Sequence, residues 1–380
     1  MAKRAVFQEV GAANRAEAAA ARPTVKPVTP DSLRGRGMVA AWLWLLAAMV
    51  AVMVLVGGLT RLTDSGLSIT VWDPVMGAIP PLSQADWIAA FDAYKTTTEY
   101  QVQNNWMTLD DFKPIFWWEW GHRQLGRLIG LVWAVGLGAL LAFRMVPRGW
   151  IGRLVMPGLL GGVQGAIGWW MVYSGLVGRL DVASYRLATH LGLAFVIFAL
   201  LVWYARRIRL PEAEIVQARR RRAGGQGLMA TFAVLAGVQI LVGALVAGID
   251  AGRSYVDWPL MSGEFFPSSA FDLQPLWANF FENPALVQFM HRMLGYATLV
   301  LGIVVAVRLW RRPERSVRLH GVAIGVVVLL QTVIGIVTVL YAAPLEIAIW
   351  HQAGGLLLWG IVISAAFTLA YPPATRLRAG

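Results

Sequence analysis

A helix needs about 20 predominantly apolar residues to cross about 30 Å of hydrocarbon. This chain carries eight such stretches, near 38–60, 122–143, 151–174, 187–205, 227–248, 286–307, 319–341 and 346–369. That pattern restricts the backbone to structures whose hydrogen bonds close within each segment. The 380 residues are 57% hydrophobic and 14% charged, where a soluble domain carries about 25% charge. The net charge of +12 would suit nucleic acid, but the basic residues collect in alternate loops between apolar runs. The expected partner is therefore a lipid bilayer, with no nucleic acid. There are no cysteines, which excludes disulfides and thiolate metal sites. The 18 tryptophans suit long membrane–water boundaries, where amphipathic rings collect.

Loop charges set the direction of the spans. Segment 206–226 holds seven arginines and two glutamates, and segment 308–320 five arginines and one glutamate. Arg144, Arg148 and Arg153 mark the connection after the second span. These sides are cytoplasmic by the positive-inside rule. Segment 61–121 has three basic residues, and segment 249–286 has one. Both large loops are therefore expected outside and both termini inside. The first 37 residues lack the apolar core of a signal peptide. Their acidic residues Glu9, Glu17 and Asp31 favour an inward-facing tail over a mitochondrial transit peptide.

The chain repeats itself. Val56, Gly57, Leu59, Asp64, Gly66 and Trp72 recur 186 residues later as Val242, Gly243, Leu245, Asp250, Gly252 and Trp258. His122, Arg123 and Gly126 recur as His291, Arg292 and Gly295, Gln164 and Gly168 as Gln331 and Gly335, and His190 as His351. Each half has an even number of spans, so both halves have the same orientation, which implies a parallel repeat about an axis along the membrane normal. The predicted fold class is an all-α polytopic membrane protein of eight transmembrane helices, arranged as two parallel-repeated four-helix bundles. The expected divisions are a tail at 1–37, a first half at 38–206, a basic linker at 207–226, a second half at 227–370 and a tail at 371–380.

Four of the five histidines, His122, His190, His291 and His351, open the second, fourth, sixth and eighth spans. All four therefore sit near the outer boundary, two in each half. Polar residues at membrane depth are functional candidates by default, and imidazole pairs on facing helices of a four-helix unit ligate haem iron axially. Zinc fits less well, because neither cysteine nor a carboxylate cluster accompanies the pairs. Gly192, Gly354 and Gly355 stand within a turn of their histidines, where they offer either a flat approach for a macrocycle or close helix packing. Arg123 and Arg292 offer a fork for a haem propionate or snorkel to lipid phosphate. Gln164 and Gln331 are read as interhelical hydrogen-bonders, and His320 as a solvated residue among arginines.

The halves differ beside their first histidine. Glu119 precedes His122 by three residues, while the second half has Gln288 in that place; Arg127 likewise corresponds to Tyr296. A carboxyl group at this boundary can move protons. The first half is thus expected to do chemistry and the second to hold a permanent redox cofactor.

The run from Asp111 to Arg127, with Trp117-Trp118-Glu119-Trp120-Gly121-His122-Arg123 at its centre, resembles the signature of haem A synthases. Residues Gly57 to Ser68 and His291 to Tyr296 resemble that family as well, and the likeness covers roughly 38–370. The resemblance implies an enzyme that oxidises a methyl group of haem O to the formyl group of haem A, through two successive hydroxylations at one carbon, for use in cytochrome oxidase. It implies haem b (iron protoporphyrin IX) on His291 and His351, and the substrate haem O between His122 and His190, with Glu119 as the outer-loop glutamate. Haem O synthase and cytochrome oxidase assembly factors are the implied partners, and a bacterial inner membrane is the implied location, ahead of a mitochondrial one. The lack of cysteine places the chain with the cysteine-free proteobacterial and mitochondrial type. A membrane di-haem cytochrome b exchanging electrons with quinol remains the alternative, and so does a haem carrier that needs the histidines without Glu119.

Overall fold

The structure is a computed structural model that describes residues 30–373 apart from 74, 177, 179 and 223. The outer parts of both tails lie outside the described residues. In chain order the helices are α1 (Pro30–Leu62), α2 (Gln84–Lys95), α3 (Leu109–Ala142), α4 (Ile151–Gly175), α5 (Ser184–Arg207), α6 (Glu212–Arg220), α7 (Gln226–Gly248), α8 (Asn279–Glu282), α9 (Pro284–Trp310), α10 (Arg315–Leu340) and α11 (Leu345–Ala370). The only β pairing among the described residues is the isolated bridge of Met261 with Glu264.

Seven of these helices are long and apolar enough to cross a membrane. This is an all-helical polytopic membrane protein. The expected third span, α4, is helical over 25 residues but falls outside those seven. Its sequence contains seven glycines, which lengthen a helix without making it apolar.

Helix starts differ from the sequence expectation. α1 begins at Pro30 rather than at 38. α3 begins at Leu109, where Thr108 and Asp111 form a capping box that satisfies two otherwise orphan N–H groups. His122 therefore lies more than three turns inside its helix rather than opening it. The extra turns are not an apolar run, so the hydropathy pattern did not reveal them. They are held by an aromatic cap instead: Phe112 and Phe116 of α3 are buried with Phe91 and Tyr94 of α2, and the Tyr94 and Phe112 rings stack at 5.3 Å. The other three histidines lie nearly two turns inside α5, α9 and α11. Asn283 caps α9, with Pro284 in the first turn, the arrangement that a helix start favours.

In the first half α1 packs on α3 and α5, and α5 on α4, while α3 and α4 touch sparingly; in the second half α9, α10 and α11 pack closely in sequence and α7 closes on α9 and α11. Lipid is as apolar as leucine, so close approach of small residues does the packing work. A Cβ added at Gly321 would lie 2.8 Å from the Ala306 carbonyl oxygen, and one at Gly302 2.9 Å from Val328. The seam between the halves is made by α5 against α7 and α11, and by α1 against α11. Val54, Phe195 and Leu356 are buried in it, and Gln352 donates across it to the Val54 carbonyl at 2.6 Å.

At one end of the seam, Arg61 joins the corresponding turns of both halves. It donates to Asp64 at 2.6 Å and to Asp250 at 2.7 Å, with Asp181 at 3.6 Å. Asp64 and Asp250 both adopt left-handed backbone, with φ of 49° and 50°. Aspartate is among the few non-glycine residues that tolerate this conformation. At the other end of the seam, Arg206 donates to the Ser364 carbonyl and to Thr368 Oγ1, both at 2.9 Å. His320 is not a solvated histidine: it bridges the Ser316 carbonyl at 2.7 Å and Ser364 Oγ at 3.0 Å, because its helix turns it toward α11.

Candidate functional site

Each of the four histidines lies against a glycine of a neighbouring helix. A Cβ on Gly57 of α1 would stand 2.9 Å from His122 Cε1. Cβ atoms on Gly168 of α4, Gly243 of α7 and Gly335 of α10 would each stand 3.0 Å from Cε1 of His190, His291 and His351. A larger residue at any of these places would push the imidazole aside. The glycines singled out from the sequence do other work: Gly192 makes room for Leu241, and Gly354 for the Gln331 side chain, which is close helix packing.

In the second half the His291 and His351 ring centres are 6.3 Å apart and their planes meet at 85°. Two imidazoles held trans on one metal, each by a nitrogen about 2.0 Å away, have ring centres about 6 Å apart. Gln239 reaches from α7 to this pair, with its Nε2 donating to the His291 carbonyl at 3.1 Å and lying 3.2 Å from His291 Nδ1. The place corresponding to Gln239 in the first half is Met53. Gln239 escaped the sequence reading, although a lone amide in an apolar run was its signal. In the first half Gln164 donates to the His190 carbonyl at 2.9 Å, as its interhelical role required. Nδ1 of His122, His190 and His351 is buried without a partner. Buried imidazoles, backing glycines and unpartnered ring nitrogens are features that would suit holding a haem iron, on His291 with His351 and on His122 with His190. Among the described residues no cluster of three or more His, Cys, Asp or Glu is placed to hold a metal ion.

Glu119 lies inside α3. It is 3% exposed, and its carboxylate accepts from Ser68 Oγ and the Ile69 N–H, each at 2.7 Å. Its other oxygen accepts from Arg123 Nη2 at 2.6 Å and Nε at 3.1 Å. Arg123 also donates to the Ile69 and Val71 carbonyls at 2.8 and 3.0 Å. The pair thus clamps segment 68–71 over the start of the site. In the second half Gln288 donates to the Ala251 and Tyr255 carbonyls at 2.9 and 3.1 Å. Arg292 donates to the Leu260 and Tyr255 carbonyls at 2.8 and 2.9 Å and to Gln288 Oε1 at 3.2 Å. The hydrogen-bond polarity toward the loop is reversed: a carboxylate takes loop donors in one half, and an amide feeds loop acceptors in the other. Both arginines hold loops, which the sequence did not reveal because loop positions are set only by tertiary packing. Arg127 likewise donates to the Asp73 carbonyl at 2.9 Å.

Similarity to known proteins follows the same residues. The family profile COX15-CtaA, described as cytochrome oxidase assembly protein, matches residues 40–363. The chain belongs to this family. It is 55% identical over 382 residues to the protein named heme A synthase of Ruegeria pomeroyi, with 99% of each chain covered. It is 52% identical to the heme A synthase of Ruegeria sp. strain TM1040, covering 100% of both chains. Against the heme A synthase of Paracoccus denitrificans it is 49% identical over 100% of this chain and 99% of the relative. The family match spans both histidine pairs, Glu119 and the loops that they hold.

A second carboxyl lies in the aromatic cap of this family member. Glu99 is 4% exposed and its Oε2 is buried without a partner. Burial first, then the charges of Asp181, Asp64 and Glu119, push it up to about 8, against an opposing hydrogen bond from Tyr94. The folded value lies above the unfolded value of about 4.3, so the folded state holds the proton between these limits. Stability is therefore highest below that window and falls as pH rises to about 8, by at most about 1.4 kcal/mol per unit from this group. Replacing Glu99 by Gln is expected to flatten that slope in thermal unfolding of the detergent-solubilised protein; identical slopes for both proteins would show that Glu99 ionises freely.

Proposed function

We propose that this chain is a haem A synthase that oxidises a methyl group of haem O to the formyl group of haem A, for cytochrome oxidase. The observation that carries the reading is the asymmetry between two otherwise matching histidine pairs: a buried carboxylate clamps the first site where an amide clamps the second. The first pair, His122 and His190, receives the substrate haem O. The second pair, His291 and His351, holds haem b, which supplies one-electron redox chemistry when bound. The 6.3 Å separation of the His291 and His351 ring centres and the glycines backing all four rings support the ligand roles, and the contrast of Glu119 with Gln288 supports the division.

The chain's own residues set the conditions of the reaction. His122 and His190 hold the substrate from two helices, with Gly57 and Gly168 fixing the ring positions. Glu119 and Arg123 keep segment 68–71 closed over it, which excludes water from the reacting edge and places a proton-accepting group beside the entrance. We read α4 as an eighth span, so the fold is two four-helix units in parallel repeat, with both termini on the cytoplasmic face of a bacterial inner membrane. The long aromatic cap of α2 and α3 then lies outside. A di-haem electron-transfer cytochrome is not favoured: it has no use for Glu119, and the relatives are named heme A synthase over their full length.

The test is haem extraction and chromatography of the purified protein co-expressed with a haem O supply. Haem b together with haem A, or with its hydroxylated precursor, is the expected result. Haem b alone under turnover conditions would replace this reading with the electron-transfer cytochrome.

A further inference from the structure

Arg186 is the third residue of α5 and stands one turn before His190, so the two side chains are neighbours on one helix face. Its guanidinium lies over the Trp170 ring at 4.9 Å and over the Tyr185 ring at 5.5 Å. Nε and Nη1 are buried with no hydrogen-bond partner. Trp170 sits two residues beyond Gly168, against which His190 packs. The contact between α4 and α5 that seats His190 thus also seats Arg186, one turn nearer the helix start.

A guanidinium does not shed its charge, and enclosing its N–H groups without an acceptor is costly. Ring faces attract the cation from above but leave the in-plane N–H groups unsatisfied. An anion lying in the plane of the fork would satisfy these donors. All three nitrogens of Arg123 are already committed to Glu119 and to loop carbonyls, so that arginine is not free for such a ligand. The position corresponding to Arg186 in the second half, by the offset that relates His190 to His351, is Ile347. The second half has no arginine in the corresponding place.

We propose that Arg186 binds a propionate carboxylate of the substrate porphyrin and so fixes which way round the substrate enters between His122 and His190. This rests on the reading of that pair as the haem O site. Trp170 and Tyr185 hold the guanidinium plane, so the carboxylate meets a pre-set fork rather than a mobile side chain. An oriented macrocycle presents one ring methyl to the reaction, which a pair of axial ligands alone does not select, since rotation about the iron–nitrogen axis leaves axial ligation unchanged.

The experiment is spectrophotometric titration of the protein, its second-half haem retained, with haem O and with haem O dimethyl ester. Wild type is expected to bind the free acid about ten- to a hundredfold more tightly than the ester, as one charge-assisted carboxylate contact allows. Arg186→Gln is expected to bind acid and ester alike, and Arg186→Lys to recover part of the difference. Equal affinities of wild type for acid and ester would overturn the proposal. So would an Arg186→Gln protein that weakens both ligands equally, which marks a packing role. Retention of the second-half haem spectrum reports that a variant is folded; should Arg186→Gln lose it, Arg186→Lys carries the comparison, and an undiminished acid–ester difference there overturns the assignment. His190→Ala separates the two readings: haem O affinity unchanged in that variant would overturn the substrate-site reading rather than the role of Arg186.

Discussion

Replacing Glu119 by Gln or Ala is expected to lower conversion of haem O to haem A by at least about a hundredfold, while the second-half haem stays in place. The carboxylate accepts four hydrogen bonds, from Ser68, Ile69 and two nitrogens of Arg123. Glutamine has the same shape but turns one acceptor into a donor, which then faces another donor. Alanine leaves Arg123, whose side chain is 14% exposed, without its ion-pair partner. Breaking a buried pair in this way costs about 3–5 kcal/mol locally, and loss of a positioned proton-transfer group lowers rate by about 10²–10⁴. The second half shows that an amide works only with a different loop: Gln288 is matched to the carbonyls of Ala251 and Tyr255. Product analysis after co-expression with a haem O supply checks the rate, and the haem b spectrum of the same sample checks the fold. A pH profile separates a proton-transferring carboxylate from one that only holds segment 68–71, because only the first removes a limb of the profile when it becomes Gln. Near-normal product from the Gln variant would take the carboxylate out of the reaction.

The second large effect is expected at His291 and His351. Either change to Ala should reduce tightly held haem b from about one equivalent to a small residue after washing, because on the proposed reading the two imidazoles would be the iron's protein ligands. The ring opposite is perpendicular at 6.3 Å, and the residues backing the two rings are Gly243 and Gly335, which offer no side chain to replace a lost imidazole. Gln239 fixes the His291 ring and its carbonyl, so Gln239→Leu is a milder companion change at the same pair. The measurement is the pyridine haemochrome content of purified variants together with the reduced-minus-oxidised spectrum. Unchanged haem b in both alanine variants would overturn the cofactor assignment.

The sequence by itself determined the membrane class, the four histidines and the difference between Glu119 and Gln288. Each of these is a local or periodic signal: an apolar run of bilayer length, a polar residue inside such a run, or a substitution between two copies. The run around Glu119 and His122 also carried the family resemblance, and the full-length relatives bear it out. What the linear pattern obscured has a physical reason in each case. The start of α3 at Leu109 is set by a capping box and by aromatic rings from α2, not by hydropathy. α4 is glycine-rich, so its helix is clear in three dimensions while its apolarity is weak.

Only the tertiary structure decided how the site is held. Gly57, Gly168, Gly243 and Gly335 stand far in sequence from the rings they support. Arg123 and Arg292 bond loops more than 30 residues away, so their charge alone did not reveal what they hold. The unpartnered nitrogens of Arg186 lie where α4 brings Trp170 over the guanidinium, a contact that no local sequence pattern shows. Side-chain identity limits what chemistry a residue offers, but whether a donor keeps an empty place or fills it is decided by which backbone the fold sets beside it.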